Sequence, residues 1–506
     1  MPLGVYLLGL AILTAAGAVL RWIWLDHPMR YDESWSYLHY ILPGGLADCL
    51  VYSAANNHVL YTLLVALAAG IGGGGPAVLR MPAFLAGVAL VPACGYLAAA
   101  MSGRRLAGLL VAAFAAGSGV LIAYSVNSRG YSMLCLAAVL LAACTLKGMR
   151  DVRRTAPWVQ WAVVAALGLF TIPLMLYPMI ALAAVVLLQA RLGPVQAEAR
   201  RVAWRRLALA FGGAVVLAAI LYQPVILVTG TRAIQSDGTV RAAPWEVYHL
   251  GLYALVADQQ LAPKPIGQVA AALPGVYAGV WDDWTAGASW LWLVLVGVGL
   301  VSATCEGIIR RRAPHLLAVV LAGVLIVLTL LHGVIPLPRM WMFALPLVLA
   351  VASCGLAGLV GWIPRRRVRA GATAILLLAT AGASAQAGGR AMRWDHLPFG
   401  DATMLDARTI ISDCMTLADG HTGLAWDYEG MPWPVIEYYS VVLATPGKHF
   451  VPYLESDCRR VLVIVGRGQG LQSVLAHRPL LDEAYGPMLI WRRYASADVC
   501  LASRRP

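Results

Sequence analysis

Charged residues are scarce in this chain. Asp, Glu, Lys and Arg together make up 12% of its 506 residues, while hydrophobic residues make up 60%. The mean hydropathy is +0.72. In a soluble globular protein about a quarter of the residues are charged. The composition therefore excludes a soluble protein and predicts an integral membrane protein.

Several sequence patterns that would indicate other functions are also missing. The nine cysteines show no CxxC spacing and no histidine partners at metal-site distances, which argues against a structural zinc site. The net charge of +13 comes from arginine clusters between apolar runs, so it does not indicate a nucleic-acid-binding face. The first apolar run, Pro2 to Leu25, has no basic residue before it and is interpreted as an uncleaved anchor rather than a secretory signal.

Long apolar runs dominate what is present. A membrane-spanning helix needs about 20 apolar residues, and we predict about eleven spans. They are Leu3–Leu25, Met81–Met101, Leu106–Ala123, Tyr131–Leu146, Trp158–Ile172, Met175–Gln189, Leu207–Val228, Ser289–Thr304, Leu316–Leu331, Trp341–Trp362 and Ala370–Ala387. The run Val59–Ile71 is too short to cross and is expected to lie in the membrane interface.

The arginine clusters predict the orientation of these spans. With Val59–Ile71 left out of the count, every cluster falls on one face of the membrane, which the positive-inside rule assigns to the cytoplasm. The clusters are Arg104-Arg105, Lys147–Arg154, Arg191–Arg206, Arg310–Arg312 and Arg365–Arg369. We therefore expect a multi-pass protein of the inner (cytoplasmic) membrane whose long loops, about 26–80 and 229–288, are extracytoplasmic.

The composition changes after the last predicted span. From about residue 389 it becomes that of a soluble domain, with strand-like runs at Val461–Val465 and Met488–Trp491 and candidate helices at Ala402–Cys414 and Val435–Val442. The predicted fold is thus an α-helical polytopic membrane domain, residues 1–388, followed by a small extracytoplasmic α/β domain, residues 389–506. One disulfide among Cys414, Cys458 and Cys500 is expected there, with its pairing left open.

Ionisable residues are nearly absent from the interiors of the predicted spans. Ion transporters usually need such a residue near the bilayer midplane, so ion transport is disfavoured. The polar residues lie instead at the outer ends of spans: Asp32-Glu33, Arg80, the turn Asn127–Tyr131 and Arg339. Several cations at the same depth as two carboxylates would suit a lipid phosphate facing a catalytic base.

Four motifs carry a resemblance to a known family. They are Arg30-Tyr31-Asp32-Glu33 after the first span, Asn57-His58 in the same loop, Arg80-Met81-Pro82, and the turn Asn127-Ser128-Arg129-Gly130-Tyr131. Together they resemble the GT-C superfamily of membrane glycosyltransferases, in the branch of protein O-mannosyltransferases and lipid A aminoarabinose transferases. The motifs cover the first third of the chain. The family often has Asn-His-Pro where this chain has Val59 after His58.

The resemblance implies a sugar donor on a polyprenyl phosphate and an acceptor that is a lipid, a glycan or a protein. It implies Asp32 as the general base, Glu33 as its neighbour that orients the acceptor or a cation, and Arg80 and Arg129 as ligands of the donor phosphate. The full set of residues expected to bind substrate is Arg30, Tyr31, Asn57, His58, Arg80, Asn127, Arg129, Tyr131 and Arg339.

The chemistry of such a transfer fits these residue types. A sugar hydroxyl is a poor nucleophile, so a carboxylate must accept its proton as the new bond forms. A phosphate leaving group departs readily once arginines neutralise its charge, so no general acid is required. One base and fixed cations predict direct displacement with inversion at the anomeric carbon.

Four alternatives stay open at this point. Asp32, Glu33, His58 and Asp282-Asp283 could offer hard ligands to a divalent cation, although their spacing matches no metal pattern, and no cofactor is otherwise expected. Trp281-Asp282-Asp283-Trp284 suits either a return into the membrane interface or stacking on a sugar. A transporter or flippase of a lipid-linked sugar would share the cationic site without needing a base, and a non-catalytic scaffold would need neither.

Overall fold

The chain forms two compact units. A computed structural model describes residues 1–52, 57–192, 197–236, 264–333, 336–391, 407–418, 422–426, 433–445, 450–452, 460–466, 489–493 and 497–503. The first unit comprises Met1–Leu25, Cys49–Ala68 and Leu79–Phe399, and the second comprises Asp26–Asp48, Ala69–Val78 and Gly400–Pro506. The predicted domain boundary between residues 388 and 389 stays a prediction.

Helices account for most of the described residues. They are α1 Leu3–Trp22, α2 Tyr31–Ser36, α3 Leu46–Leu50, α4 Val59–Gly72, α5 Pro76–Ser102, α6 Arg105–Gly117, α7 Gly119–Ser125, α8 Tyr131–Arg150, α9 Ala156–Thr171, α10 Leu176–Leu192, α11 Ala197–Ser236, α12 Ile266–Thr285, α13 Trp290–Ile309, α14 Leu317–His332, α15 Ala344–Gly361, α16 Arg366–Ala391, α17 Ala407–Met415 and α18 Trp433–Val442. A π-helical turn, Tyr37–Ile41, continues α2, and a 3₁₀ turn, Pro338–Trp341, precedes α15.

The predicted polytopic helical fold is confirmed, with a correction to the number of spans. Among the described residues nine helices are long and apolar enough to cross a membrane, and the pair α6 and α7 would make a tenth. Each predicted span coincides with a helix, but α9 has only 16 residues, and the predicted span Leu106–Ala123 is broken at Ser118. The helix α4 has 14 residues, too few to cross, and its interfacial position stays a prediction.

Two helices extend into segments that the sequence predicted to be loops. Charged residues in those segments marked the end of the apolar layer and not the end of the helix. The helix α11 runs for 40 residues from Ala197, so the arginines before Leu207 are helical rather than in a loop. The helix α12 occupies part of the predicted outer loop 229–288. Charged residues do not end a helix that continues beyond the apolar layer.

The buried guanidinium of Arg21 joins α1 to the break between α6 and α7. The two short helices meet at Ser118 with a bend of 62°. Such a break leaves carbonyls without their helical partners. Arg21, which is fully buried, donates to the carbonyl oxygens of Ala115 at 3.0 Å and Ala116 at 3.2 Å, and also to Ser125 Oγ at 3.0 Å. One charged side chain thus satisfies the acceptors that the bend exposes.

The second unit contains a five-stranded mixed sheet. Its strands are β1 Thr422–Trp426, β2 Val451–Pro452, β3 Arg460–Gly466, β4 Leu489–Arg493 and β5 Ala497–Ser503, in the spatial order β2-β1-β3-β5-β4. The strand β1 pairs in parallel with β2 and β3, whereas β5 is antiparallel to β3 and β4. The described α17, α18, β3 and β4 confirm the predicted elements, and β1 and β5 were not foreseen. Cys458 lies outside the described residues, so the disulfide stays a prediction.

Replacing Arg21 tests its role at the helix break. In Arg21→Leu the carbonyls of Ala115 and Ala116 lose a charged donor while they stay buried, which we expect to lower the free energy of unfolding by on the order of 3 kcal/mol. Denaturant unfolding of the purified protein in detergent measures this. The control is Arg153→Leu, whose exposed side chain pairs with an equally exposed Glu198 and should change stability by less than about 0.5 kcal/mol. Equal losses in the two variants would contradict this role.

Candidate active site

The turn between α7 and α8 contains Arg129, one of the arginines predicted to bind the donor phosphate. Ser128 of this turn donates from Oγ to the carbonyl of Leu79 at 3.0 Å. The hydroxyl of Tyr61 donates to the same carbonyl at 3.1 Å and lies 3.3 Å from Ser128 Oγ. Within the turn, the Arg129 amide donates to the carbonyl of Asn127 at 2.7 Å. Arg129 is almost fully buried. Its guanidinium is therefore held at a fixed place rather than extending freely to lipid.

The next residue, Gly130, determines the tautomer of His58. The Gly130 amide donates to Nδ1 of His58 at 2.9 Å, so that nitrogen carries a lone pair. A side chain at Gly130 is excluded, since its Cβ would lie 3.1 Å from the same nitrogen and 2.9 Å from Thr171. Burial, and then the positive charges of Arg129 and Arg339, hold the pKa of His58 well below its usual range. His58 is thus neutral and protonated at Nε2.

The protonated nitrogen of His58 lies beside a second donor. Its Nε2 is 3.5 Å from Nη2 of Arg129, and both atoms carry hydrogens. Two donors side by side cannot satisfy each other, but they can share an anion. The ring of Tyr131 packs edge-on against His58 at 5.1 Å and lies 6.0 Å from the Arg129 guanidinium, which fixes both groups. The arrangement is suited to an oxyanion.

His58, one of these two donors, lines a mostly apolar cavity of about 470 Å³. His58 and Tyr131 form part of its wall, and leucines of α14 together with Tyr177 and Trp341 form much of the rest. Ligand pockets in proteins typically measure about 300–1,000 Å³. The cavity therefore has one polar edge and an apolar body of a size that a ligand chain can enter.

Arg339 adds a third positive charge to this region. It lies in the 3₁₀ turn Pro338–Trp341, against which α12 packs through the edge-on pair of Tyr277 and Trp341 at 5.2 Å. Arg339 acts electrostatically on both His58 and Asp283. Asp283 is buried, and its burial and the neighbouring Asp282 raise its pKa to about 7, an effect that Arg339 partly offsets. The sequence suggested Asp283 only as a possible cation ligand and not as a residue of the catalytic or substrate-binding set.

Two residues predicted to bind substrate make hydrogen bonds within the protein. The Arg80 side chain, wholly buried, donates to the carbonyl of Leu25 at 3.0 Å. The Asn57 amide nitrogen donates to the carbonyls of Cys49 and Val51, and its oxygen accepts from the Thr62 hydroxyl at 2.7 Å. These contacts give both residues a structural role, and their predicted role in binding stays a prediction.

Asn127 behaves differently from Asn57. It is fully buried, and neither its amide nitrogen nor its amide oxygen has a hydrogen-bond partner among the residues that the structure describes. Buried polar atoms of this kind are rare, and each needs an explanation. Because Asn127 belongs to the same turn as Arg129, a polar ligand at that turn would provide one.

The carboxylates Asp32 and Glu33 lie in the second unit, at the start of α2. The Glu33 carboxylate is buried and accepts from the backbone amide of Arg30 at 2.9 Å, so it serves as the capping partner of the helix. Asp32 and Tyr31 are half-buried in the same first turn, and Arg30 is buried at its start. The two neighbouring carboxylates are therefore not equivalent, and Glu33 has a local structural contact.

A pair of tyrosines on α18 supports α2 within the second unit. The hydroxyl of Tyr439 accepts from the Met29 amide at 3.0 Å, one residue before the helix cap. The hydroxyl of Tyr438 donates to the Gly74 carbonyl at 2.6 Å, and its ring packs edge-on against Tyr37 at 5.2 Å. Sequence analysis missed both residues, because nothing in their local pattern indicates a partner about 400 residues earlier.

Metal ligands do not cluster in the described part of the chain. Within it, no three or more His, Cys, Asp or Glu side chains are grouped so as to hold an ion.

Comparison with known proteins establishes the fold. No family model and no curated protein matches the sequence. The chain is similar to the crystal structure of ArnT from Cupriavidus metallidurans bound to undecaprenyl phosphate, with a TM-score of 0.57, 13% identity and 97% of each chain covered. It is also similar to the oligosaccharyltransferase of Archaeoglobus fulgidus in the apo form, with a TM-score of 0.54, 12% identity, and 86% of this chain and 63% of that chain covered.

A third similar structure is AglB, an oligosaccharyltransferase from Archaeoglobus fulgidus, in complex with an inhibitory peptide and a dolichol-phosphate. Its TM-score is 0.52 at 12% identity, with 98% of this chain and 74% of that chain covered. At such low identities the likeness concerns the fold. It agrees with the polytopic helical fold that the resemblance implies.

The raised pKa of Asp283 predicts a pH-dependent stability. Between its ordinary value of 3.8 and about 7, the unfolded chain releases this proton while the folded chain retains it, so stability falls as the pH rises through that window. Asparagine has no proton to release in this range, so the Asp283→Asn variant should not lose stability as the pH rises. Its apparent midpoint of thermal unfolding should exceed that of the unaltered protein at about pH 8 and equal it at about pH 4.

The control for this measurement is Asp151→Asn. Asp151 is exposed at the end of α8, and its carboxylate accepts from the Arg153 amide, which an asparagine oxygen can also do. The Asp151→Asn variant should show no comparable rise in its unfolding midpoint at about pH 8. A gain in Asp283→Asn that does not depend on pH would contradict the assignment.

Proposed function

We propose that this chain is a membrane glycosyltransferase that moves a sugar from a polyprenyl-phosphate donor to an acceptor. The observation that carries the proposal is that His58, whose Nε2 lies beside the Arg129 guanidinium, lines an apolar cavity of about 470 Å³. A polyprenyl phosphate has the matching chemistry, with an anionic head and a long apolar chain. Two of the similar structures support it, since ArnT was crystallised with undecaprenyl phosphate and AglB was solved with a dolichol-phosphate.

In this proposal the phosphate is bound by donors of different kinds. The Arg129 guanidinium supplies charge and a planar pair of N–H groups. His58 is neutral, so it donates a hydrogen bond to the phosphate without the cost of burying a further charge. Arg339 contributes longer-range attraction, and the buried amide of Asn127 offers a further donor and acceptor. The phosphate released after transfer is the group that this arrangement stabilises most, which lowers the barrier to its departure.

We propose Asp32 as the general base of the reaction. The acceptor hydroxyl needs a carboxylate to take its proton, and a proton acceptor of this kind contributes about 10²- to 10⁴-fold to the rate. Glu33 is the poorer candidate, because its carboxylate already accepts from the Arg30 amide and caps α2. With one base and a neutralised leaving group, the transfer is a single displacement that inverts the anomeric carbon.

The proposal includes an orientation. By the positive-inside rule, the arginine clusters favour an amino terminus on the cytoplasmic side of the inner membrane, which would leave the acceptor site on the other side. The acceptor is a lipid, a glycan or a protein on that outer side. The second unit, which holds Asp32 and the mixed sheet, would then be extracytoplasmic.

Substitution of Asp32 tests the base. Asp32→Asn should lower turnover by about 10²- to 10⁴-fold and leave the unfolding midpoint unchanged. The assay follows undecaprenyl phosphate released from a panel of undecaprenyl-phosphate-linked sugars, with membrane extract as the source of acceptor. Asp48→Asn is the control, because Asp48 accepts from the Gly45 amide in the same loop and an asparagine keeps that bond.

Three outcomes of this assay are distinguishable. Release that needs the acceptor and is lost only in Asp32→Asn supports the enzyme. Unchanged turnover in Asp32→Asn removes this residue from the mechanism. Movement of intact lipid-linked sugar across proteoliposomes, with no release of undecaprenyl phosphate, would show a transporter or flippase instead.

Substitution of His58 tests the phosphate site without reference to turnover. In His58→Asn the side-chain oxygen still accepts from the Gly130 amide, but the Nε2 donor is lost. Binding of undecaprenyl phosphate should weaken by about tenfold, the effect of one hydrogen bond to a charged group. His39→Asn, which changes an exposed histidine stacked on Trp35, should bind as the unaltered protein does. Equal affinity in all three proteins would contradict the site.

A further inference from the structure

A second cavity lies between α13 and α15, lined by side chains that the proposed transfer does not use. It measures about 660 Å³ and is mostly apolar. Its walls include Val301, Ile309, Leu359 and Trp362. These side chains are exposed, with 75% of Ile309 and 70% of Trp362 accessible. In a membrane-spanning pair of helices, such a surface faces lipid.

Glycines allow α13 and α15 to cross in close contact beside this cavity. A Cβ added to Gly355 would lie 1.9 Å from the carbonyl oxygen of Gly299, so the backbones touch there. Ser302 Oγ donates to the Gly355 carbonyl at 3.2 Å and fastens the crossing. The lining of the cavity extends along α13 from Gly297 to Arg310 and along the end of α15 from Gly358 to Trp362. The cavity, a cleft between the two helices, therefore reaches the arginine-rich ends of the spans.

Charged residues line the cleft at the carboxyl end of α13. Glu306, only 6% of whose side chain is exposed, accepts from Arg104 and from Arg310, each at 3.4 Å. Gly358 leaves room for this group, since a Cβ there would lie 2.9 Å from the Glu306 carboxylate. One buried carboxylate between two arginines leaves an excess positive charge, and the exposed Arg311 and Arg312 follow directly in the chain.

We infer that the cleft between α13 and α15 is a binding site for an anionic phospholipid from the membrane leaflet at the arginine-rich ends of the spans. One acyl chain would lie along Val301 and Leu359, and the phosphate would contact Arg310 and Arg104. The excess positive charge favours an anionic headgroup over a zwitterionic one, because a basic residue at a membrane surface attracts anionic lipid by about 1 kcal/mol.

Lipid retention measured by native mass spectrometry tests this inference. The full-length protein in detergent is titrated with phosphatidylglycerol or phosphatidylcholine of the same chain length. We expect one phosphatidylglycerol to be retained preferentially, and Arg310→Gln to reduce that retention about fivefold, which corresponds to one basic contact. Retention of phosphatidylcholine should not change.

Filling the cleft provides a second variant and a matched control. Gly297 lines the cleft, and a Cβ there meets nothing within 4 Å, so Gly297→Leu occupies the space without a clash. It should reduce phosphatidylglycerol retention to the level of phosphatidylcholine. Gly323→Leu on α14 also has nothing within 4 Å of its Cβ, lies outside the cleft and should have no effect.

Several results would overturn the inference. Equal retention of the two lipids would show that the headgroup is not recognised. Unchanged phosphatidylglycerol retention in both Arg310→Gln and Gly297→Leu would show that the lipid binds elsewhere. One-for-one displacement of phosphatidylglycerol by undecaprenyl phosphate, or a dimer that Gly297→Leu dissociates, would identify a different occupant of the cleft.

Discussion

The hydrogen bond from the Gly130 amide to Nδ1 of His58 is the contact on which the candidate phosphate site depends. It fixes the tautomer of a histidine that burial keeps neutral, and it directs the protonated Nε2 toward the Arg129 guanidinium. Because of that bond, the N–H of His58 Nε2 and an N–H of the Arg129 guanidinium lie side by side. An anion can accept from both.

The position of this bond is set by contacts deeper in the first unit. Arg21 binds the carbonyls exposed where α6 gives way to α7, and it also donates to Ser125, to which Ser132 donates at 3.4 Å. These polar contacts hold α7 and the start of α8, the two helices that the Arg129 turn connects. A charge buried in a membrane domain is costly unless it is fully hydrogen-bonded. Here it stabilises the bend that places the turn.

Much of the fold could be predicted from the sequence, because apolar runs of about 20 residues have few alternatives in a membrane protein. Helix ends were less predictable, since α11 continues through arginines and the span at Ser118 bends. Motifs identified His58 and Arg129. The local contacts of Arg80, Asn57 and Glu33 could not be predicted, because they depend on which carbonyl or amide lies nearby in three dimensions. The support of α2 by Tyr438 and Tyr439 joins distant parts of the chain and leaves no local pattern.

The most direct measurement is an experimental structure of the protein with undecaprenyl phosphate, determined at a resolution that shows the phosphate oxygens. The account predicts one oxygen within hydrogen-bonding distance of His58 Nε2 and another beside the Arg129 guanidinium, with the prenyl chain running along the α14 leucines of the cavity. A phosphate bound away from both donors, or a chain that leaves this cavity empty, would contradict it.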